Sequence, residues 1–346
     1  MDKLTKKQHY VPRFYLKYFA DSNGRLHVFN RDEDKFYPSN VDNICSNRYL
    51  YEVERSRAID TDASRFIHPN KIENDLSKIE SCVSESYKAF IKCCEQGRLE
   101  GDDFLFGRFA VGFLFALLLE RHPRTVEERR KSAADIARGY INEGRLTEAE
   151  AQRLKDRGLK GELVGLTEQF ALQASLVSLL ENPWIFRIFT RLNDMRLVIE
   201  EAPAGVEFVS TSLPIYVAGN SYGCRDFDPD RAYMPLSSRY AAFFVHEKGK
   251  TFLHRASIGD VLRYNELLLD SHSVWDVAFA KAKGPLERSV FDWRCPGELQ
   301  CMWIKEFKSR AQDWRVSARS ETLQFGGCAA QLSLGSLFQG LNWWYL

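Results

Sequence analysis

The sequence lacks the short motifs that announce a cofactor or a standard active site. It has no GxxxxGK(S/T) phosphate loop and no GxGxxG turn, so neither common route to nucleotide phosphates is written locally. It has no HExxH, and none of its seven histidines pairs with another at helical i, i+4 spacing. No GxSxG elbow is present, and its eight cysteines form no CxxC pair. Asp226, Asp228 and Asp230 cluster in one short stretch but lack the spacing and terminal glutamate of a calcium loop, so a solvated turn is expected. No metal site and no cofactor is expected.

Surplus charge is also missing. Lys and Arg number 48 against 47 Asp and Glu, a net charge of +1, so no global field points to nucleic acid or to a membrane surface. The first residues, Met1 to Lys7, contain no apolar stretch of the kind a secretory signal needs. The longest apolar run, Phe104 to Leu119, has 16 residues and is broken by Arg108 and two glycines. A spanning helix needs roughly 20, so this run is expected to be a core helix and no membrane partner is expected. Cysteines without a disulfide pattern then fit reduced thiols and a cytoplasmic location.

What is present is ordinary globular material: 346 residues, 45% apolar and 27% charged, enough for one large or two ordinary domains. Pro12 suits a first helical position, with a short helix from Arg13 to Asp21 stopped by Asn23-Gly24. Arg25–Arg31 alternates like a strand, Asp32–Asp34 reads as a turn and Lys35–Tyr37 as the return strand, with a further short strand in Arg48–Val53. Ile72, Leu76, Ile79, Val83, Tyr87 and Phe90 repeat at three and four, which predicts a helix before the apolar run. Thr125-Val126-Glu127-Glu128 and Thr147-Glu148-Ala149-Glu150 have capping-box spacing within a charged helical hairpin over 125–160. Leu163–Leu192 reads as a long helix divided at Pro183.

The pattern then shortens. Strands are predicted at Arg196–Glu201, Val206–Val209, Ala232–Leu236 and Tyr240–His246, followed by a helix that Ser257 caps and a helical piece over Ser273–Lys281. From about Gly284 the periodicity fails, and five of the seven tryptophans lie there. The expected fold is α+β: mainly helical, with an N-terminal β-hairpin and a small antiparallel sheet in the second half. Residues 1–285 are read as one domain carrying the charged hairpin 125–160. Residues 286–346 are read as a Trp-rich extension.

The opening block is the best site candidate. His9 precedes a predicted helix start whose free N–H groups could face an anion, and Lys6, Lys7 and Arg13 add positive charge. His9 is then a candidate general acid or base, with Lys7 and Arg13 as phosphate- or ligand-binding residues. The bland role is anchoring of the N-terminus, with Phe14 and Tyr15 packed beneath. Arg121 and Arg124 flank a predicted helix end, where cations complement the dipole or, alternatively, form a second phosphate-contact cluster. Arg239 and His246 have the Arg-x6-His spacing of a ribonuclease motif found in some helical toxins, but the residues between them alternate as a strand.

Several segments in order resemble the bacterial family known only as domain of unknown function 4238. They are His9-Tyr10-Val11-Pro12-Arg13-Phe14-Tyr15-Leu16, then Gly24–Phe29, Asn43-Ile44 with Tyr49–Tyr51, and Arg121-His122-Pro123. Ser210–Pro214, Pro235-Leu236-Ser237 and Tyr264–Leu267 complete the set, over about residues 7–282. The family's turn aspartate is Ser212 here, so an activity borne by that carboxylate would be altered, whereas a turn cap would survive the change. The resemblance implies no reaction. It implies a defence- or toxin-associated protein, and with the opening block it suggests action on or binding of nucleic acid or nucleotides, nuclease-like if enzymatic. The alternative is a non-catalytic protein–protein interaction or sensor module working through 125–160 or 286–346.

Overall fold

The computed structural model describes residues 4–52, 69–142, 183–219, 229–247, 249–270 and 275–294. The described residues form a mixed α+β fold in which helices and mostly antiparallel sheets are segregated. All but the last few belong to one compact unit, Met1–Val290.

The helical layer is a pair. Helix α2, Lys71–Glu95, buries Ile72, Leu76, Ile79, Val83, Tyr87 and Phe90 along one stripe. Helix α3, Asp102–Arg121, is buried almost all round from Val111 to Arg121, as an apolar helix inside a protein must be. Gly107 lets the two backbones meet: a Cβ there would sit 2.4 Å from the Cβ of Phe90. Among the described residues no helix is long and apolar enough to cross a membrane. Helix α4, Pro123–Asn142, follows at once, with Pro123 as its first residue. Thr125 does not cap this helix. It lies inside the first turn, and its hydroxyl donates to the carbonyl of Leu119, closing the end of α3 instead. The rest of the charged hairpin, the Thr147 box and the helix before Pro183 lie outside the described residues; Pro183 itself opens helix α5, Pro183–Asp194.

The N-terminal strands have partners from far along the chain. Strands β2, Arg25–Asn30, and β3, Lys35–Asn40, pair antiparallel. β2 then pairs with β11, Val277–Ala280, and β11 with the two-residue β6, Ser210–Thr211. The stretch 273–281, expected as helix, therefore supplies a strand, because Ala278-Phe279-Ala280 completes a sheet whose edge would otherwise be open. The strand expected at Val206–Val209 does not form there: Phe208 N donates to the Ser238 carbonyl and Val209 N to Asn265 Oδ1, and strand pairing begins at Ser210. A small two-stranded ribbon joins β1, Lys7–His9, to β4, Ser46–Arg48.

The second sheet runs in the order β10-β5-β9-β8-β7. Its members are β5 (Arg196–Glu201), β7 (Tyr216–Gly219), β8 (Pro229–Pro235), β9 (Tyr240–Val245) and β10 (Phe252–Arg255). Four strands are antiparallel; the edge strand β10 is parallel to β5. Alternation divides its faces. Leu197, Ile199, Ala232, Met234, Ala242 and Phe244 enter the core shared with the helical pair, and Phe244 meets Phe115 of α3 edge-on. Val198, Tyr233 and Phe243 face the other way. There Phe243 and Tyr233 pack on Tyr264 of helix α6, Ile258–Asp270. Ser257 caps α6 by exchanging hydrogen bonds with Asp260, as its spacing predicts. Helix α7, Lys283–Arg294, ends the described chain.

Candidate functional site

The opening block is mostly a wedge. Pro12 is the cap residue before the one-turn helix α1, Arg13–Leu16, rather than its first member, and its carbonyl accepts from Tyr15 and Leu16. Val11, Tyr15 and Leu16 are fully buried. The Tyr15 hydroxyl donates to the Pro235 carbonyl at 2.7 Å and lies 3.0 Å from Ser210 Oγ, so one side chain ties α1 to both sheets. The Tyr87 hydroxyl donates to Leu236 O at 2.6 Å from the helical side. A four-residue helix with its first turn so occupied offers no anion seat.

His9 sits at the end of β1, where three elements meet. Arg121, the last residue of α3, is 1% exposed and directs its guanidinium into this corner. It donates to the His9 carbonyl and to Glu80 of α2, both at 2.5 Å, and to the Tyr51 hydroxyl at 3.2 Å. Tyr51 donates to the same His9 carbonyl. The neighbouring Gln8, also fully buried, accepts from Tyr51 N and donates to Glu52, whose carboxylate accepts from Asn70 N at the start of α2. The His9 backbone is thus clamped between helix ends, while its ring Nε2 is buried without a partner among the described residues.

The electrostatics follow from that packing. Burial, then the charges of Lys7 and Arg13, push His9 below its ordinary value, so the ring favours its neutral form. Glu73, on the Arg121 side of α2, is pushed up to about 7, first by burial and then by Glu80 and Glu52, with Arg121 opposing. One of its carboxylate oxygens is buried without a partner among the described residues. Burial pushes the Tyr51 hydroxyl up to about 12 against the pull of Arg121. Arg121 itself stays charged: burial opposes the cation, but Tyr51 and Glu80 together outweigh it.

The remaining sequence candidates divide between the surface and a second cluster. Lys7 donates to Asn43 and Arg13 pairs with Asp42, both at the exposed rim of the same corner. Arg48 lies opposite Lys7 in the β1–β4 register and is exposed. Ser212 and Arg124 do not reach His9. Ser212, 1% exposed, accepts from Asp276 N at 2.8 Å and secures the start of β11, so here it is a turn cap. Arg124 is exposed, and its charge acts on Asp276 and on His122. Arg121, a candidate phosphate contact, has its donors used inside the protein and no surface to offer. The Arg239/His246 pair is split as its strand pattern requires: Arg239 pairs with Glu201, and His246 meets Arg191 at 2.9 Å.

Tyr51, Glu73 and Glu80 were not legible as site residues. The one available signal was the seven-residue spacing of Glu73 and Glu80 beside the apolar stripe of α2, which puts both on the edge that meets α3. Among the described residues no group of three or more His, Cys, Asp or Glu is arranged to hold a metal ion. A separate cleft of about 860 Å³ lies between β5, β10 and the 202–207 turn, walled by Glu201, Glu207, Ser238, Arg239 and Arg255.

Comparison with known proteins adds one assignment. No curated protein and no solved structure matches the chain. A family model matches residues 7–271, from the β1 ribbon through the helical pair and the five-stranded sheet to just past the end of α6. That span is more than half of the chain, and it begins at the strand that carries His9. The protein therefore belongs to the DUF4238 family, a family described as proteins of unknown function.

Proposed function

We propose that the His9 corner is an acid–base site for a phosphate-bearing substrate, a nucleic acid or a nucleotide, in a phosphodiester-hydrolase-like reaction. The observation that carries this reading is the His9 ring. Its Nε2 is buried without a partner among the described residues, its neutral form is favoured, and its main chain is clamped by Arg121 and Tyr51. A neutral imidazole near pH 7 is ready to accept a proton. Lys7, Arg13 and Arg48 form an exposed basic rim beside it, the charge that a phosphate requires. In this reading Arg121 positions His9 and does not touch substrate. Glu73, held near neutrality, is a second group able to exchange a proton in the same corner.

The cellular role that accords with the family resemblance is a defence- or toxin-associated one in bacteria. Four described cysteines, Cys45, Cys82, Cys93 and Cys94, are free thiols, which suits a reducing cytoplasm.

The test is a cleavage and binding panel of single-stranded RNA, single-stranded DNA and nucleoside triphosphates, run with the full chain, His9→Gln and Arg13→Ala, beside a phage-challenge or toxicity assay. Loss of a general base should lower turnover by about 10²–10⁴-fold with the fold intact. Arg13→Ala should weaken binding more than turnover. Binding without turnover in the parent chain would favour a sensor module, and full activity in a folded His9→Gln chain would end the proposal.

A further inference from the structure

A second histidine, far from His9 in sequence, has the opposite electrostatic setting. Glu200 of β5 points to the α6 face of the five-stranded sheet and is completely buried. Its Oε2 lies 2.7 Å from Nδ1 of His254, the residue opposite it in the parallel β5–β10 register. Its Oε1 is buried with no partner among the described residues, and so is the hydroxyl of Tyr233 on the same face of β8. His254 is half exposed. A buried carboxylate with one ligated oxygen depends on that single bond for its compensation, because an ionised group without a partner is costly to bury.

The bond also holds an edge. β10 has four residues, pairs only with β5 in its sheet, and is its one parallel member. Its last residue, Arg255, walls the 860 Å³ cleft with Glu201 and Arg239. We propose that His254 and Glu200 form a proton-operated latch that fastens β10 to the sheet, and with it the Arg255 wall of the cleft.

The groups facing the pair are few. Glu200 faces His254 from β5, Asp260 faces both from α6, and Tyr233 faces Glu200 from β8. Asp260 is itself held by Ser257 and Arg263. The hydrogen bond to Glu200 raises the His254 pKa, with burial opposing and Asp260 assisting. A histidine raised in the folded state contributes stability that is complete below its unfolded value near 6.5 and is lost as pH rises through the folded value. Above that pH the imidazole still donates a hydrogen bond but no longer carries charge. Glu200 is then a buried anion facing a neutral donor, and β10 is held less firmly.

Amide hydrogen exchange of the full chain between pH 6 and 9, corrected for intrinsic rates, tests this directly. Protection at residues 252–255 should fall on the order of tenfold more than at the central strand β9 as pH rises, the ratio that separates a charge-assisted hydrogen bond from a neutral one. In His254→Gln, which keeps a donor but does not titrate, the β10 profile should run parallel to β9. In Glu200→Gln, β10 should stay protected at high pH. A wild-type β10 profile parallel to β9, or an unchanged fall in His254→Gln, would overturn the latch. His254→Gln alters a half-exposed side chain, so it carries the test even where Glu200→Gln does not fold.

Discussion

The His9 corner and the β10 edge solve one problem with different cations. In the corner, a guanidinium that never titrates in the working pH range joins the end of α3 to the end of β1 and to Glu80 within α2. At the edge, an imidazole whose pKa is raised by its hydrogen bond to Glu200 joins one short strand to its neighbour. A permanent cation that is 1% exposed has no second state, so Arg121 is structural support for whatever His9 does. A half-exposed histidine on a buried glutamate has two states, so the edge can respond to pH. Burial and residue type, not the presence of an ion pair, decide which region is fixed and which is adjustable.

Removing Arg121 should therefore give the largest effect in the molecule. Arg121→Ala leaves Glu80, the Tyr51 hydroxyl and the His9 carbonyl without their shared donor. Breaking a buried charge network on one side costs about 3–5 kcal/mol. Arg121→Lys should recover little of this, because one ammonium cannot reach three acceptors in a planar fork. Denaturant unfolding measures both, and an Arg121→Ala chain as stable as the parent would show that the corner is not a fixed support.

His122 gives the next effect and sharpens the contrast in sign. It is 4% exposed, and burial followed by the charge of Arg124 lowers its pKa to about 4. Its Nδ1 accepts from Arg124 N, and its ring stands edge-on to Tyr10. The unfolded chain protonates this residue near 6.5 and the folded chain only near 4. Its contribution is present above 6.5 and is lost progressively as pH falls toward 4, by up to roughly 3 kcal/mol. His122→Phe should flatten that part of the stability–pH curve, whereas His254→Gln should change only the alkaline side. An acid limb identical in both chains would show that neutral burial of His122 does not drive it.

Gly107 tests the frame beneath the corner. Alanine there would press its methyl onto Phe90 Cβ and the Ser86 carbonyl, the latter 2.9 Å away. Overpacking of this kind costs typically 1–3 kcal/mol. Thermal unfolding of Gly107→Ala against Gly284→Ala, where a Cβ meets nothing within 4 Å, isolates the close approach of α2 and α3 from the helix-propensity change.

Where the sequence was legible, a local physical rule and the tertiary context agreed. The stripe from Ile72 to Phe90 repeats at helical spacing, Ser257 and Asp260 have a capping box's spacing, and Tyr240–Val245 has the β-rich, apolar character of a buried strand. Where it was not legible, the deciding partner lay far away. Val277–Ala280 is a strand because β2, some 250 residues earlier, has an edge to fill. Thr125 looks like a cap and serves the previous helix. The candidate site was half legible for the same reason. A histidine among basic residues is visible in a string of letters, but the role of Arg121 runs through a main-chain carbonyl, and Glu73 and Glu80 look like any exposed helix charges until α3 is set against them.

The smallest stability effect belongs to Arg13, and its smallness is what makes it informative. Arg13 and Asp42 form an ion pair with side chains 55% and 54% exposed. Exposed pairs contribute about 0–1 kcal/mol. Arg13→Ala should thus unfold within that margin of the parent, while Arg121→Ala, at the C-terminal end of α3, should lose far more. If the rim is a phosphate contact, Arg13→Ala should also weaken binding of an anionic substrate in a salt-dependent way, with a shallower dependence on ionic strength than the parent because one fewer counterion is displaced. Stability unchanged with binding reduced separates the rim from the support beneath it. Stability and binding both unchanged would remove Arg13 from the site and leave Lys7 and Arg48 as the basic rim beside His9.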